Sequence, residues 1–598
     1  METNISGDQS SGYCIGVFAD NVVLKGDGHS ISNGAVGAGI YIKSARDVTV
    51  ENVSIVGYQD GFFIVSSSDN IIDNVVINSS SYGFLIDGNS FVVTGNRIAF
   101  GRNGLSAWGN NDVIDNNVIS SNTGFGIGIR SNDSEIFDNF IANNSYTGIS
   151  LEGNYNNVSG NTLFNNTCIS LSVDGIDIIG NYNVIVNNNA SGNGNYGFDV
   201  YGKDNAILEN VAFNNTNDGF YVTGNYNNLT GNYVAYNRLT GVHLHGNRSA
   251  VVYNVVVHNT QNGIVIYYGS NDMVSGNNVS DNAAGVVSEN SHGTAITDNA
   301  IIHNEVYGVW LYADNYDIVA YNNITDGWSV MGAMGVILEH SNRADIVSNK
   351  IGGNSEDGIY LYGNYNNITG NSVYDNTRYG IYVIFSSDDL VYNNAFNNTM
   401  NVRIISSEVN WSVNLKSGMN VLGGNVIAGN AWLSPNGTGF SQTCQPMAQE
   451  PDVCNTPYEI ISNESRVYHV GGNGTDYLPL RYPQEVPYTP SVSTTSAVSS
   501  TSTVTTMSTS TTATRSLTTT STTATMTSTS VTTRQTSLTS TKTTTSTSIH
   551  ISSTTPVSKV TSPRQSFGST AIVVSVVVVV VFAAAIAMLL RRRQPQLA

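Results

Sequence analysis

A repeat of about 22 residues governs what this chain can fold into. A small residue followed by apolar, any and apolar recurs as GIYI at Gly39, GFFI at Gly61, GFLI at Gly83, GLSA at Gly104, GIGI at Gly126 and GISL at Gly148. It continues as CISL at Cys168, then at Gly197, Gly219, Gly241, Gly263, Gly285, Gly308, Gly335, Gly358 and Gly380, and fades at Asn401. Most intervals are 21 to 23 residues, with insertions before Gly197 and Gly335. A second register locks onto the first. About 13 or 14 residues after each glycine stands an asparagine: Asn52, Asn74, Asn96, Asn139, Asn161, Asn210, Asn232, Asn254, Asn277, Asn299, Asn322, Asn349, Asn371 and Asn393. Three residues before it the position is apolar, as in Ile71, Val93, Ile136, Leu229 and Ile368, with Thr49 a departure. The run GNYNN, an aliphatic residue, Ser or Thr, then GN appears at Gly153, Gly224 and Gly363.

Apolar residues at period two within three to five residues mark short strands with one buried face; a helix would need spacings of three and four. Strands that recur once per repeat, with no helix between them, pair with their own copies in neighbouring repeats and wind into a parallel solenoid. The interior is then stacked Ile, Val, Leu and Phe. Each glycine is expected to allow a turn conformation that a Cβ disfavours, and each asparagine to hydrogen-bond its counterparts above and below. About 17 rungs at ~4.8 Å each predict a rod on the order of 80 Å long.

Composition agrees. Glycine is abundant (58) and proline scarce (11) in 598 residues, as many tight turns between short strands require. The net charge of −20 leaves no basic surface to displace counterions from phosphates, which excludes a nucleic-acid partner. Four cysteines, Cys14, Cys168, Cys444 and Cys454, are too few to frame so long a chain. About twenty Asn-x-Ser/Thr sequons occur, each weak evidence of glycosylation in a chain so rich in these residues.

The C-terminal end has its own logic. Residues 570–590, TAIVVSVVVVVVFAAAIAMLL, carry no charge and match the length of a membrane-spanning helix. Arg591, Arg592 and Arg593 follow, so 591–598 is expected to be a cytoplasmic tail, with the bulk of the chain extracellular. Residues 489–569 are nearly all Ser and Thr and cannot bury enough apolar surface to order, so they are expected to form an extended, O-glycosylated stalk. Outward topology calls for a signal peptide, yet the chain opens METNISGDQSSGYCIGVF without one; the expectation is a truncated N-terminus, with which Cys14 lost its partner.

With these repeats, the chain resembles the parallel β-helix proteins of the NosD-like, carbohydrate-binding and sugar-hydrolase (CASH) family over roughly residues 14–485. The opening NVVLKGDGHSI, from Asn21 to Ile31, is similar to the family's NVTLDGNGHTI first rung. The closing GGN at Gly423 to Asn425, Trp432, TPYEI at Thr456 to Ile460 and DYLPL at Asp476 to Leu480 is similar to its terminal module. The resemblance implies an all-β, right-handed parallel β-helix over 1–405 and a capping module over 406–488. Where many relatives carry an Asp-rich loop, this chain has Cys444-QPMAQEPDV-Cys454, which implies a disulfide there and an oxidising, extracellular setting. Activity is not implied, because the family mixes sugar-processing enzymes, copper-enzyme maturation factors and surface proteins.

If residues one and three after each glycine point inward, those two and four after point out as two columns. The first includes Tyr41, Phe63, Asp199, Tyr221, His243, Trp310, Tyr360 and Tyr382; the second includes Asp87, Trp108, Glu152, Tyr201, His245, Tyr267, Glu289, Tyr312, Glu339 and Tyr362. Exposed Tyr and Trp among carboxylates suit stacking on sugar rings, so Tyr201, Tyr221, His243, His245, Tyr267, Trp310, Tyr312, Tyr360, Tyr362 and Tyr382 are the candidate carbohydrate-binding residues. Polysaccharide or surface glycoprotein is the expected partner, beside the bilayer. A purely architectural envelope or adhesion role is the alternative, in which the rings only brace the strands. A lyase or hydrolase is a third reading: Glu289 and Glu339 share a column, and Asp388-Asp389 resembles the paired aspartates of polygalacturonases, though it occupies a turn and lacks an RIK-like partner. No catalytic residue, cofactor or metal is assigned. A copper-related accessory role would need clustered His or Met, and only His243 and His245 project together.

Overall fold

The structure is a computed structural model that describes residues 1–6, 12–32, 34, 36–168, 172–460 and 474–483; the stalk, the apolar segment and the tail lie outside them. Each turn of the chain lays down three short strands, as in Phe220–Thr223, Asn228–Thr230 and Tyr233–Ala235. Every one pairs in parallel with its equivalent a turn later: Phe220 lies beside Val242, Leu229 beside Val251 and Val234 beside Val256. Among the described residues the middle strands number eighteen, one per rung, so the fold is an all-β right-handed parallel solenoid of about eighteen rungs. The additional rung is the opening one, Tyr13–Val17, Val23–Lys25 and Ser30–Ser32.

The period-two pattern has its expected consequence. Phe220, Val222, Leu229 and Val234 are fully buried, and one continuous core of Ile, Val, Leu and Phe runs from Ile31 to Phe396. Like stacks on like along the axis: the rings of Phe198 and Phe220 lie 4.5 Å apart and nearly parallel.

Asparagine binds the corners, and it does so at three corners rather than one. The corner before the third strand carries the row Asn96, Asn117, Asn139, Asn161, Asn188, Asn210, Asn232, Asn254, Asn277, Asn299, Asn322, Asn349, Asn371, Asn394 and Asn430. In it Asn210 Nδ2 donates to Asn232 Oδ1 (3.2 Å), and Asn232 Nδ2 to Asn254 Oδ1 (2.9 Å). A second row passes through Asn193, Asn215, Asn237 and Asn259, and a third through Asn156, Asn183, Asn205 and Asn227. The residue before each ladder asparagine except Asn430 turns the chain with a left-handed backbone, as at Gly231 (φ 70°) and Tyr253 (φ 56°), which explains the recurring GN pair. Three expected members stand one residue out of phase. Asn52 and Asn74 are exposed and themselves left-handed, and Val53 and Val75 fill the buried position; likewise the row passes through Asn394 and not Asn393. Correspondingly Ile72 is buried and Ile71 is 41% exposed.

The rung glycines answer to space, not to φ. Gly241 has ordinary backbone angles, but a Cβ there would meet Val256 Cγ1 at 2.4 Å and the Gly263 carbonyl oxygen at 2.6 Å. Gly241→Ala is therefore expected to destabilise its rung by about 1–3 kcal/mol, read as faster amide exchange across Phe220–Asn247 with the terminal rungs unchanged. The same column corrects the repeat at Cys168. Ile149–Glu152 pairs with Ile176–Ile179, so the rung glycine is Gly175 and Cys168 opens an insertion. That insertion lengthens the ladder step from 22 residues (Asn139 to Asn161) to 27 (Asn161 to Asn188). Ile169 to Leu171, the rest of CISL, lie outside the described residues.

In the third strand of the last rung, Ala431–Leu433, Trp432 stacks on Phe396 at 5.2 Å and its Nε1 donates to the buried Asp476. Asn430 continues the asparagine row by accepting from Asn394 Nδ2 (3.0 Å). Cys444 and Cys454 are joined by a disulfide with Cα atoms 5.6 Å apart. Cys14 packs its side chain against the core.

Candidate functional site

Inward packing of Phe220 and Val222 leaves Tyr221 and Thr223 on the outside, and strict register repeats the choice on every rung. Two outward columns result. Asp177, Asp199, Tyr221, His243, Val265, Val287, Trp310, Ile337, Tyr360 and Tyr382 lie side by side in the first. Ile179, Tyr201, Thr223, His245, Tyr267, Glu289, Tyr312, Glu339 and Tyr362 form the second.

The predicted residues fall into two groups. In one, Tyr221 touches His243 (ring centroids 5.1 Å) and His245 (5.5 Å), and His245 meets Tyr267 edge-on at 5.0 Å. In the other, Trp310 packs on Tyr312 (5.6 Å) and Tyr360 on Tyr382 (5.4 Å), with Tyr362 against His340 (4.3 Å). Between them the first column is apolar, with Val265 and Val287 buried in a small outer cluster bordered by Tyr267, Tyr307 and Trp310, and within the second group Ile337 is buried between Trp310 and Tyr360. Tyr201 is the most open of the predicted rings, at 53% exposure. Tyr382 is a correction. It is buried, because the Arg378 and Arg403 guanidinium groups lie over its ring at 5.4 and 5.1 Å and the Tyr360 ring covers it further.

Several rings of the face were not foreseen. Tyr196, Tyr307 and Tyr379 each directly precede a rung glycine and fold over the first column; Tyr196 stacks on Tyr221 at 4.9 Å, Tyr307 packs on Trp310 at 5.2 Å, and Tyr379 packs on Tyr382 at 5.9 Å. The signal was present, an aromatic residue immediately before glycine, but the two-and-four rule looks only past it.

Charge on the face is one-sided. Burial, reinforced by Asp174 and Asp177, pushes the Asp199 carboxyl up to about 7; burial with Asp174 brings Asp177 to about 6. Burial, with His243 beside it, lowers His245 to about 4, so its imidazole is neutral near pH 7. His243 Nδ1 faces Asp218 Oδ2 at 3.4 Å. Asp389 is fully buried in a corner row and accepts from Asn366, while Asp388 is exposed and left-handed, so the two do not form a paired site. Glu289 and Glu339 remain in one column with Tyr312 between them.

Copper does not fit these residues. The best pair, His243 and His245, stack their rings 4.7 Å apart, and His243 is engaged by Asp218. Among the described residues no three His, Cys, Asp or Glu side chains converge on one point.

Comparison with known proteins gives one family. The family model described as periplasmic copper-binding protein (NosD) matches residues 2–176, 159–262 and 238–437. Among solved structures, the A-module of Azotobacter vinelandii mannuronan C-5 epimerase AlgE4 is similar at 15% identity, covering 59% of this chain and 91% of that one with a TM-score of 0.33. The Dettilon tailspike protein is similar at 13% identity over 51% of this chain and 60% of that one, TM-score 0.33. The periplasmic alginate epimerase AlgG is similar at 16% identity over 52% and 77%, TM-score 0.27. No curated protein matches the chain.

Proposed function

The chain belongs to the NosD family, and on that footing we propose that it is a cell-surface solenoid that binds polysaccharide or the glycans of a surface glycoprotein along its two outward columns. One observation carries this reading. Side chains with flat, amphipathic rings recur at fixed rung spacing on one face, part-exposed and interleaved with carboxylates, which is the chemistry that grips sugar rings by their C–H faces and hydroxyls. The apolar segment at 570–590 supports anchorage in a membrane, with the stalk holding the solenoid away from it.

A purely architectural role has an observation of its own: Tyr196 and Tyr221 lie nearly parallel and spend a ring face on each other, as cross-rung bracing would. A glycan array probed with the full-length protein in detergent separates the two. Tyr201→Ala together with Trp310→Ala is expected to weaken a bound glycan roughly tenfold or more, since each lost stacking ring is worth about 1 kcal/mol or more. An array without a single bound glycan would leave only the architectural reading.

A further inference from the structure

From Asp177 and Ile179 through to Tyr360 and Tyr362, the two columns hold four carboxyl side chains, Asp177, Asp199, Glu289 and Glu339, and no lysine or arginine. The corners repeat the bias. Asp174 and Asp218 flank the first column, Asp174 accepting from Tyr196 N and Asp218 facing His243. The cations near the face are already engaged or lie at its corners. Arg130, two rungs before Ile179 in the second column, is paired with Glu152 at 2.7 Å, and Arg403, next after Tyr382 in the first, lies over that ring. Lys203 reaches Asp204, Arg248 donates to Tyr226 Oη, and Arg238 is exposed in the corner before Val242–Asn247. Past Tyr360, Arg378 is already tied to Glu356 and Asp357.

The acids concentrate beside the most open ring. Asp177 and Asp199 are direct neighbours across one rung, on strands about 5 Å apart. Tyr201 projects on the same side two residues along, and Asp199 Oδ1 is buried without a hydrogen-bond partner. Two like-charged groups so close, with no counter-charge between them, are each harder to ionise. A cation placed there would relieve that repulsion, whereas an anion would add to it.

We propose that this face takes a glycan bearing free amino groups, with the sugar ring stacked on Tyr201 and its ammonium received by Asp177 and Asp199, and that it rejects uronate and sulfated chains. The proposal rests on the glycan-binding reading above and adds the chemical class of the ligand. Three probes of one size test it on the full-length protein in detergent by titration calorimetry: oligomers of glucosamine, of N-acetylglucosamine and of galacturonic acid. Glucosamine oligomers are expected to bind at least about tenfold more tightly than their acetylated counterparts, and Asp177→Asn with Asp199→Asn to erase the difference, because a charge-assisted hydrogen bond is lost. Tyr201→Ala is expected to weaken both oligomers alike. Equal binding of the acetylated oligomer, or tighter binding of the uronate, overturns the ligand class and leaves the sugar face standing. Binding of none of the three, together with an empty glycan array, overturns both.

Discussion

Asn232→Ala is expected to open the solenoid locally at a cost of about 1–3 kcal/mol, because a buried backbone N–H loses its partner. Asn232 Oδ1 accepts from Asn210 N at 2.9 Å, and Asn232 Nδ2 donates to the Ile207 carbonyl at 3.0 Å. Both groups are sealed from water, so truncation leaves Asn210 N an orphan donor inside the corner. Asn228, four residues earlier in the same rung, is exposed, and its side chain accepts only from Thr230 Oγ1 at 2.7 Å; Asn228→Ala is expected to cost less than about 0.5 kcal/mol. A solenoid gains stability rung by rung, so a whole-chain melt blurs the contrast. Amide exchange read at Ile207, Asn210 and their neighbours resolves it. Equal protection in the two variants would show that the corner rows are ornaments of a fold held by its core alone.

The same rows show how far the sequence could be read. Strand phase, parallel stacking and the inward and outward split followed from period two, because a buried face admits no slip of one residue. The asparagine row was legible where asparagine stands in the buried phase, and misread at Asn52 and Asn74, where the residue that turns the corner is also asparagine. Thr49 marked the slip: the apolar position there is Val50, one residue on, and Val53 follows it into the corner. Cys168 misled for a related reason. CISL and GIDI both match small, apolar, any, apolar, and only the 27-residue step of the corner asparagines shows that Gly175 owns the rung.

The functional face was half legible. Register alone placed Tyr221, His243 and His245 together, but sequence spacing says nothing of what lies over a ring. Tyr382 sits at an outward position and is nevertheless covered, since Arg378 and Arg403 reach it from a corner and from the next rung. Tyr196, Tyr307 and Tyr379 reach the face from the corner before the strand, a geometry set by how sharply that corner turns.

Raising the pH from about 4 to about 8 is expected to weaken the solenoid, the reverse of what ion-paired carboxylates would give. Asp272 and Asp389 occupy positions where other rungs carry asparagine, and burial pushes each carboxyl up to about 7. Asp314 and Asp317, together in one rung, are raised by the same burial. In each, Oδ1 accepts a backbone N–H, as Asp272 does from Ser249 N at 2.7 Å, while Oδ2 is buried without a partner. A rung earlier, Ser249 Oγ donates to the Gly224 carbonyl, and before that Asn227 Nδ2 donates to Gly202 (2.9 Å). Asp272 Oδ2 and the next carbonyl in that series, Gly246, both crowd Gly269, where a Cβ would fall 2.2 Å from the one and 3.1 Å from the other. Only the protonated acid can donate there. No ion pair reaches these four groups among the described residues. The folded chain therefore holds their protons more tightly than the unfolded chain, whose carboxyls titrate near 3.8. Stability is full below that value, falls as pH rises through about 7, and stays low above. At about 1.4 kcal/mol per pKa unit, ionising Asp272 costs its rung a few kcal/mol. Asp272→Asn supplies the missing N–H and is expected to raise protection of that corner at pH 8 while leaving it unchanged at pH 4. General relief of the −20 surface charge in acid would act on both forms alike, so a pH dependence identical in wild type and variant would refute the buried-acid account.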